Sequence, residues 1–231
     1  MSEIIFKGVS TRELPGVEVS KMPSHKRAAM RYTEYYVKGR DGALHVDEGY
    51  SNMDLEATLV LINGRSQARQ LVNAWATGSG KLILSDDYTL AYHASVRKEV
   101  RWTRTPGNGG YYDTAKITFD CDPYMYEANE SVIGFDASGK IKNPGTATAN
   151  PLIKVEGTGN AVFTVGGQQI TVRGMSSNVP VFLDCENGYA YAASGSKEIV
   201  GEFPELPLGE SDVILGSGTQ RLTITPHWRW I

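Results

Sequence analysis

Apolar and β-branched residues recur along most of this chain in short runs with a spacing of two, broken by glycine, proline, asparagine and aspartate. That is the pattern of strands joined by turns. Residues 3–7 and 28–38 are runs of this kind, and the second ends on Gly39, Arg40, Asp41 and Gly42, where the Asp-Gly pair offers the backbone freedom of a tight hairpin. In 55–62, Leu55, Ala57, Leu59 and Leu61 share one face while Thr58, Val60 and Ile62 share the other, which predicts a central strand covered on both sides. One stretch changes period. After Asn63 and Gly64, Ser66 can cap a helix whose buried side is Ala68, Leu71, Val72 and Trp75, and Gly78 and Gly80 stop it. Further strands are predicted over 81–85, 90–103 and 111–119, the last two joined through Pro106, Gly107, Asn108, Gly109 and Gly110. Residues 1–126 therefore read as a mixed unit of six or seven strands and one helix.

The pattern then shifts. Residues 127–142 are polar and glycine-containing and read as a linker or edge hairpin with its tip at Ala137, Ser138 and Gly139. From 143 the chain launches a second all-β unit through Asn143, Pro144, Gly145 and Thr146, then Asn150, Pro151 and the strand that follows, closed by Gly157, Thr158 and Gly159. Pro144 fixes φ and Gly145 supplies a positive φ, the pairing of a type II turn. Short strands over 151–156, 161–165, 169–173, 179–184, 189–192, 211–215 and 221–225, with no helical period among them, predict a β-sandwich over 143–231. The last segment, 225–231, is free to pair with either unit, the first included.

Composition narrows the function more than the fold. The chain has 231 residues and a mass of 25.2 kDa, enough for one large or two small cores. A formal charge of −3 argues against nucleic acid or a membrane as the main partner. The polar amino terminus carries no apolar run of signal-peptide length. Cys121 and Cys185 fall in different units and read as two reduced, buried thiols.

Candidate chemistry is thin. Gly78, Ser79, Gly80 and Lys81 resemble a phosphate loop only superficially, because Trp75 and Leu82 stand where that motif needs a glycine and a hydroxyl residue. His25, His45, His93 and His227 are too far apart for a metal-ligand motif, and Asp86 with Asp87 or Asp120 with Asp122 read as turn carboxylates. No catalytic, cofactor or metal residue is assigned. Arg97, Lys98, Arg101 and Arg104 interleave with Val100 and Trp102, but strand alternation splits that charge between two faces. This suits a solvated or subunit-contacting strand, or a channel wall past which DNA slides ungripped. Tyrosines are more numerous than a core easily hides: Tyr32, Tyr35 and Tyr36, then Tyr111 and Tyr112, then Tyr124 and Tyr126. Tyr32, Tyr35 and Tyr36, with Arg40 and Asp41 of the adjoining loop, are the candidates for contact with a neighbouring chain.

The ordered set of punctuated passages resembles the distal tail proteins of bacteriophages with long, non-contractile tails. The pieces are Gly39 to Gly42; the helix with Trp75; Asp122, Pro123 and Tyr124; Asn143 and Gly145; Pro151; Gly157 and Gly159; Phe203 and Pro204; and Trp228 and Arg229 near the end. The resemblance spans nearly the whole chain. It implies a mainly β protein with a tail-tube-like α+β first domain and a galectin-like β-sandwich after it. It further implies a homo-hexameric ring at the tail tip, built into the virion, with the tail tube protein above, the tail-associated hub protein below, and DNA passing through. The outer domain can dock receptor-binding proteins, and neither a cofactor nor a membrane is involved. A different function class, a carbohydrate-binding module, would use Tyr189, Tyr191 and Trp228 of the second domain to stack on sugar. The sugar-reading runs of true galectins are absent from it.

Overall fold

Alternation of apolar and polar side chains builds two separate cores. The computed structural model describes residues 2–61, 65–107 and 110–231, which divide into one unit of Met1–Ala128 with Ile231 and a second of Asn129–Trp230. In the first, the strands are β1 (Ile4–Phe6), β2 (Val9–Ser10), β3 (Val17–Lys21), β4 (Met30–Tyr35), β5 (Leu44–Tyr50) and β6 (Met53–Leu61), then helix α1 (Arg65–Trp75), then β7 (Gly78–Leu84), β8 (Asp87–Val96), β9 (Arg101–Gly107) and β10 (Gly110–Glu127). One antiparallel sheet runs in the order β2-β1-β7-β8-β10-β6-β3. The 18-residue β10 is its spine: one edge pairs with β6, and the other pairs first with β9 and then with β8.

The sheet is covered on one side. Leu55, Ala57, Leu59 and Leu61 of β6 are buried while Asp54 and Glu56 are exposed, so the strand read as doubly covered is half-buried, as an antiparallel sheet allows. Its odd residues meet α1, whose Ala68, Val72 and Trp75 enter the core. Trp75 packs edge-on against Phe6 and Phe119, with ring centroids 5.9 and 6.1 Å away, and its indole N–H donates to the Val9 carbonyl at 3.0 Å. The expected helix start lies outside the described residues at Asn63, Gly64 and the Ser66 side chain, and so do Asn108 and Gly109 of the β9–β10 turn. The expected strand over 90–103 is two: β8 ends at Val96 and β9 begins at Arg101, both lying along the same edge of β10. Gly78, Ser79, Gly80 and Lys81 open strand β7 and form no phosphate loop.

Helix α1 and the β9–β10 ribbon are tied by one carboxylate. Asp113, fully buried, accepts from Arg69 at 2.9 Å and from Arg104 at 3.0 Å, and the Arg69 guanidinium lies 5.1 Å from the Trp102 ring. The hydrogen bond from Arg104, with the charge of both arginines, holds the Asp113 carboxyl below its ordinary value of 3.8 despite burial. A depressed folded-state value means that this stabilisation is present in full above the unfolded carboxyl's range and is lost as pH falls through the folded value. Asp113→Asn is expected to lower stability at pH 7 by about 2 kcal/mol, below the figure for a wholly buried pair because both guanidiniums are about half exposed to screening water. Denaturant midpoints of the two proteins measured from pH 7 down to pH 2.5 check this: the gap should narrow below about pH 4.

In the second unit the strands are β11 (Ile133–Phe135), β12 (Gly139–Asn143), β13 (Leu152–Gly157), β14 (Gly159–Val165), β15 (Gln168–Met175), β16 (Val181–Asp184), β17 (Tyr189–Ala192), β18 (Gly195–Ser196), β19 (Ile199–Val200), β20 (Gly209–Leu215) and β21 (Thr219–Thr225). They form two sheets, β11-β21-β13-β16-β17-β18 and β12-β20-β14-β15-β19. Their inner faces share a core of Ile153, Val155, Leu183, Leu222 and Ile224 from one sheet and Phe163, Val165, Ile170, Val172 and Val213 from the other, a β-sandwich. The segment read as a linker or edge hairpin instead supplies an edge strand to each sheet, because β11 pairs with β21 and β12 with β20. Up to Trp230 the last segment lies in this sandwich: β21 pairs with β13, and Trp228 is 3% exposed within the second core. Both cysteines are free, each thiol pushed up to about 12 by burial.

Candidate functional site

The candidate site grows from β4 and β5, which pair only with each other. Tyr32 faces Asp47, Thr33 faces Val46, Glu34 faces His45 and Tyr35 faces Leu44, and the chain reverses at a tip that turns through Gly39 (φ +84°) and Gly42 (φ +78°). The hairpin expected there is present. Its connection spans residues 36–43, however, and Asp41 keeps a negative φ, so this is a wider loop than an Asp-Gly two-residue turn.

This ribbon has two unlike faces. Thr33, Tyr35, Leu44 and Val46 share one, with Tyr35 at 55%, Leu44 at 40% and Val46 at 52% exposure. Tyr32, Glu34, His45 and Asp47 share the other, where the Tyr32 ring meets the His45 ring edge-on at 5.0 Å and the Tyr36 hydroxyl donates to Glu34 at 2.8 Å. Tyr32, Tyr35, Tyr36, Arg40 and Asp41 are all exposed, and the tyrosines are divided between the faces. Tyr35 stands three residues from Tyr32, so strand alternation alone puts the two on opposite faces, which grouping the three tyrosines overlooks.

The base of the ribbon, by contrast, is anchored. On the outgoing leg His25 bridges Tyr92 (Nδ1 to the hydroxyl, 3.0 Å) and Asp86 (Nε2 to Oδ2, 2.5 Å). Burial pushes the Tyr92 hydroxyl up to about 12. On the return leg Asn52 donates to Asp120 at 3.1 Å, and Tyr50 packs edge-on against Tyr124 at 6.0 Å. Tyr124 follows Asp122 and Pro123 in the irregular stretch of β10 where the pairing with β8 slips between Cys121 and Met125. A proline cannot donate to a ladder, and a bulge is where a strand tolerates one. The Asp122-Pro123-Tyr124 passage thus kinks the spine of the sheet beside the root of the ribbon.

The motif residues of the second unit converge on one knot. Asn143, 5% exposed, accepts from the Gly145 N–H at 2.8 Å and donates to the carbonyls of Ala147 (3.1 Å) and Leu206 (3.0 Å). Leu206 and Ala149 exchange backbone bonds, which fixes the segment that follows Phe203 and buried Pro204, while Pro151 accepts from the Cys185 N–H. Gly145 is not in the positive-φ region expected of it. What demands glycine is space, since a Cβ there would lie 2.3 Å from the Arg229 carbonyl oxygen. Gly157 is required in the same way by Gly218, at 2.1 Å, whereas Gly159 has φ +66° and open surroundings. Arg229, 8% exposed, pairs with Glu186.

The stacking set offered for sugar does not assemble. Trp228 is a core residue, while Tyr191 stacks on Phe182 at 5.3 Å and meets Tyr189 in a tilted contact at 5.4 Å. Of the basic strip, Lys98 pairs with Asp54, Arg101 with Glu99 and Arg104 with Asp113. Among the described residues no group of three or more histidine, cysteine or acidic side chains comes together to hold a metal, and no helix is long and apolar enough to cross a membrane.

The chain has the fold of the Dit protein (gp 19.1) of phage SPP1, described as a paradigm of the hub adsorption apparatus in phages infecting Gram-positive bacteria. The two superpose with a TM-score of 0.76 over 98% of each chain at 14% identity. The baseplate of phage P2 in its activated conformation with Ca contains a chain that is 12% identical and aligns over 97% of both, with a TM-score of 0.49. No protein-family model matches the sequence, and no curated protein does.

Proposed function

We propose that this protein is the structural hub at the distal end of a long, non-contractile phage tail. Six copies close into a ring around the DNA channel, the first unit building the ring in the manner of a tail-tube subunit and the second standing outside as a galectin-like sandwich. The observation that carries this reading is the end-to-end likeness of fold to SPP1 Dit. The tail tube protein stacks above the ring and the tail-associated hub protein below it, and receptor-binding proteins dock on the outer sandwich. The particle assembles in the host cytoplasm and ends in the virion's tail tip.

Two features support ring formation and passage of DNA. A two-stranded ribbon is marginal in water, and this one displays tyrosine, leucine and valine on its surface, so a neighbour is needed to cover them. The uncovered face of the first sheet carries matched ion pairs, so a polyanion moving past it meets no continuous cationic track. No reaction is assigned to the protein; its contribution is geometry.

Solution mass by light scattering, with negative-stain images of the peak, tests the reading. A closed ring of about 150 kDa is the expected result for six copies of this mass. A monomer at high concentration, with no rings in the images, would refute it. In the assembled ring, amides of β4 and β5 should exchange with deuterium at least about tenfold more slowly than in a dissociated subunit.

A further inference from the structure

The ribbon is electrically polarised from leg to leg. Residues 26–40, its outgoing leg, carry Lys26, Arg27, Arg31, Lys38 and Arg40 against the single carboxylate Glu34. Residues 41–54, the return leg, carry Asp41, Asp47, Glu48 and Asp54 and neither lysine nor arginine. The two legs do not discharge each other. Register sets Asp47 opposite Tyr32, Arg31 spends its guanidinium on the Glu48 carbonyl at 2.9 Å, and Lys26 spends its ammonium on the Asp54 carbonyl at 3.0 Å. Among the described residues, Lys38 and Arg40 on one leg and Asp41 and Asp47 on the other have no ionic partner in their own chain. Both outer edges of the ribbon are also unpaired, since β4 and β5 bond only to each other.

We infer that a second copy of this chain covers the ribbon edge to edge, with the basic outgoing leg of one copy lying against the acidic return leg of the next. This deepens the ring reading and rests on it. Charge selects the partner: a strand edge that is cationic on one side of a ribbon and anionic on the other complements itself head to tail and repels itself head to head. Strand direction agrees. Copies related by rotation about one axis point their ribbons the same way, which sets β5 of one antiparallel to β4 of its neighbour and lets the open backbone groups form an antiparallel ladder. The contact is heterologous, and it closes when the rotation does. The apolar face of Tyr35, Leu44 and Val46 then forms one continuous band around the assembly.

Two double variants test the pairing without touching any ion pair within the chain. Lys38→Glu with Arg40→Glu makes all four of these unpaired positions acidic, and Asp41→Lys with Asp47→Lys makes all four basic. Each alone should remain monomeric at concentrations where the unaltered protein is wholly assembled, with unchanged circular dichroism and melting. Mixed in equal amounts, they should assemble again, in alternation, because the four acidic positions of one variant now meet the four basic positions of the other. Raising salt from 0.05 to about 1 M should weaken the unaltered assembly, since these charges are solvent-facing. If the unaltered protein forms rings and either variant does so equally well, or the mixture stays monomeric while both are folded, the pairing is wrong and the ring reading survives. If the unaltered protein is itself monomeric, the ring reading fails first.

Discussion

Trp75→Ala is expected to destabilise the first unit by about 3–5 kcal/mol, the range for removing a large, fully packed aromatic side chain. Three independent losses coincide at this residue. The ring leaves a void between Phe6 of β1 and Phe119 of β10, both fully buried and both in edge contact with it. The aromatic contacts are lost beyond the area they cover. The Val9 carbonyl, which the indole N–H satisfies at 3.0 Å, loses that donor. Because Trp75 is the last residue of α1, its loss also frees the end of that helix from the sheet it covers. Hydrogen exchange at the amides of β1, β6, β7 and β10 reads the effect directly, and Trp75→Phe, which keeps a ring but not the donor, should recover more than half of it. An unchanged melting midpoint for Trp75→Ala would mean that α1 does not hold this core.

How much of this was legible from sequence depends on whether a feature is local. Most strands of the second unit were visible because they alternate cleanly and have glycine at or beside one end, as β13, β14 and β17 show. Helix α1 was visible through Ala68, Val72 and Trp75 at helical spacing. β3 was missed because Val17-Glu18-Val19-Ser20-Lys21 has only two apolar positions and owes its place to pairing with β6. β11 and β12 were legible only as a linker or edge hairpin: three to five residues each, they take their places as edge strands of two sheets from pairing with β21 and β20. The ribbon was legible as a hairpin, and its tyrosines as surface, because an exposed strand needs no distant partner to be recognised. Its division into an apolar and a polar face was not, since that depends on register across β4 and β5. The knot around Asn143 was legible as a set of residues but not as a mechanism, because the atom that forbids a side chain at Gly145 belongs to Arg229, far along the chain.

That distant atom gives Gly145→Ala the second largest expected effect, a loss of about 3 kcal/mol, at the upper end of overpacking costs because the obstacle is backbone and cannot rotate away. The Cβ would stand 2.3 Å from the Arg229 oxygen and 3.0 Å from the Asn143 side-chain oxygen. The Arg229 oxygen accepts from the N–H groups of Thr146 and Ala147, at 2.9 and 3.2 Å, so moving it breaks two further bonds that close the chain end onto the start of the sandwich. Asn143 cannot yield either, since its amide is committed to the Ala147 and Leu206 carbonyls. The contrast that isolates this cause is Gly159→Ala, where φ is +66° and nothing lies within 4 Å of the added methyl group. There the cost is conformational alone, about 1 kcal/mol. Chemical denaturation followed by the fluorescence of Trp228, which is buried in the same core, should therefore rank the two glycines with Gly145 well ahead. The reverse order would show that backbone conformation rather than space fixes glycine at position 145, the type II turn that the sequence suggested.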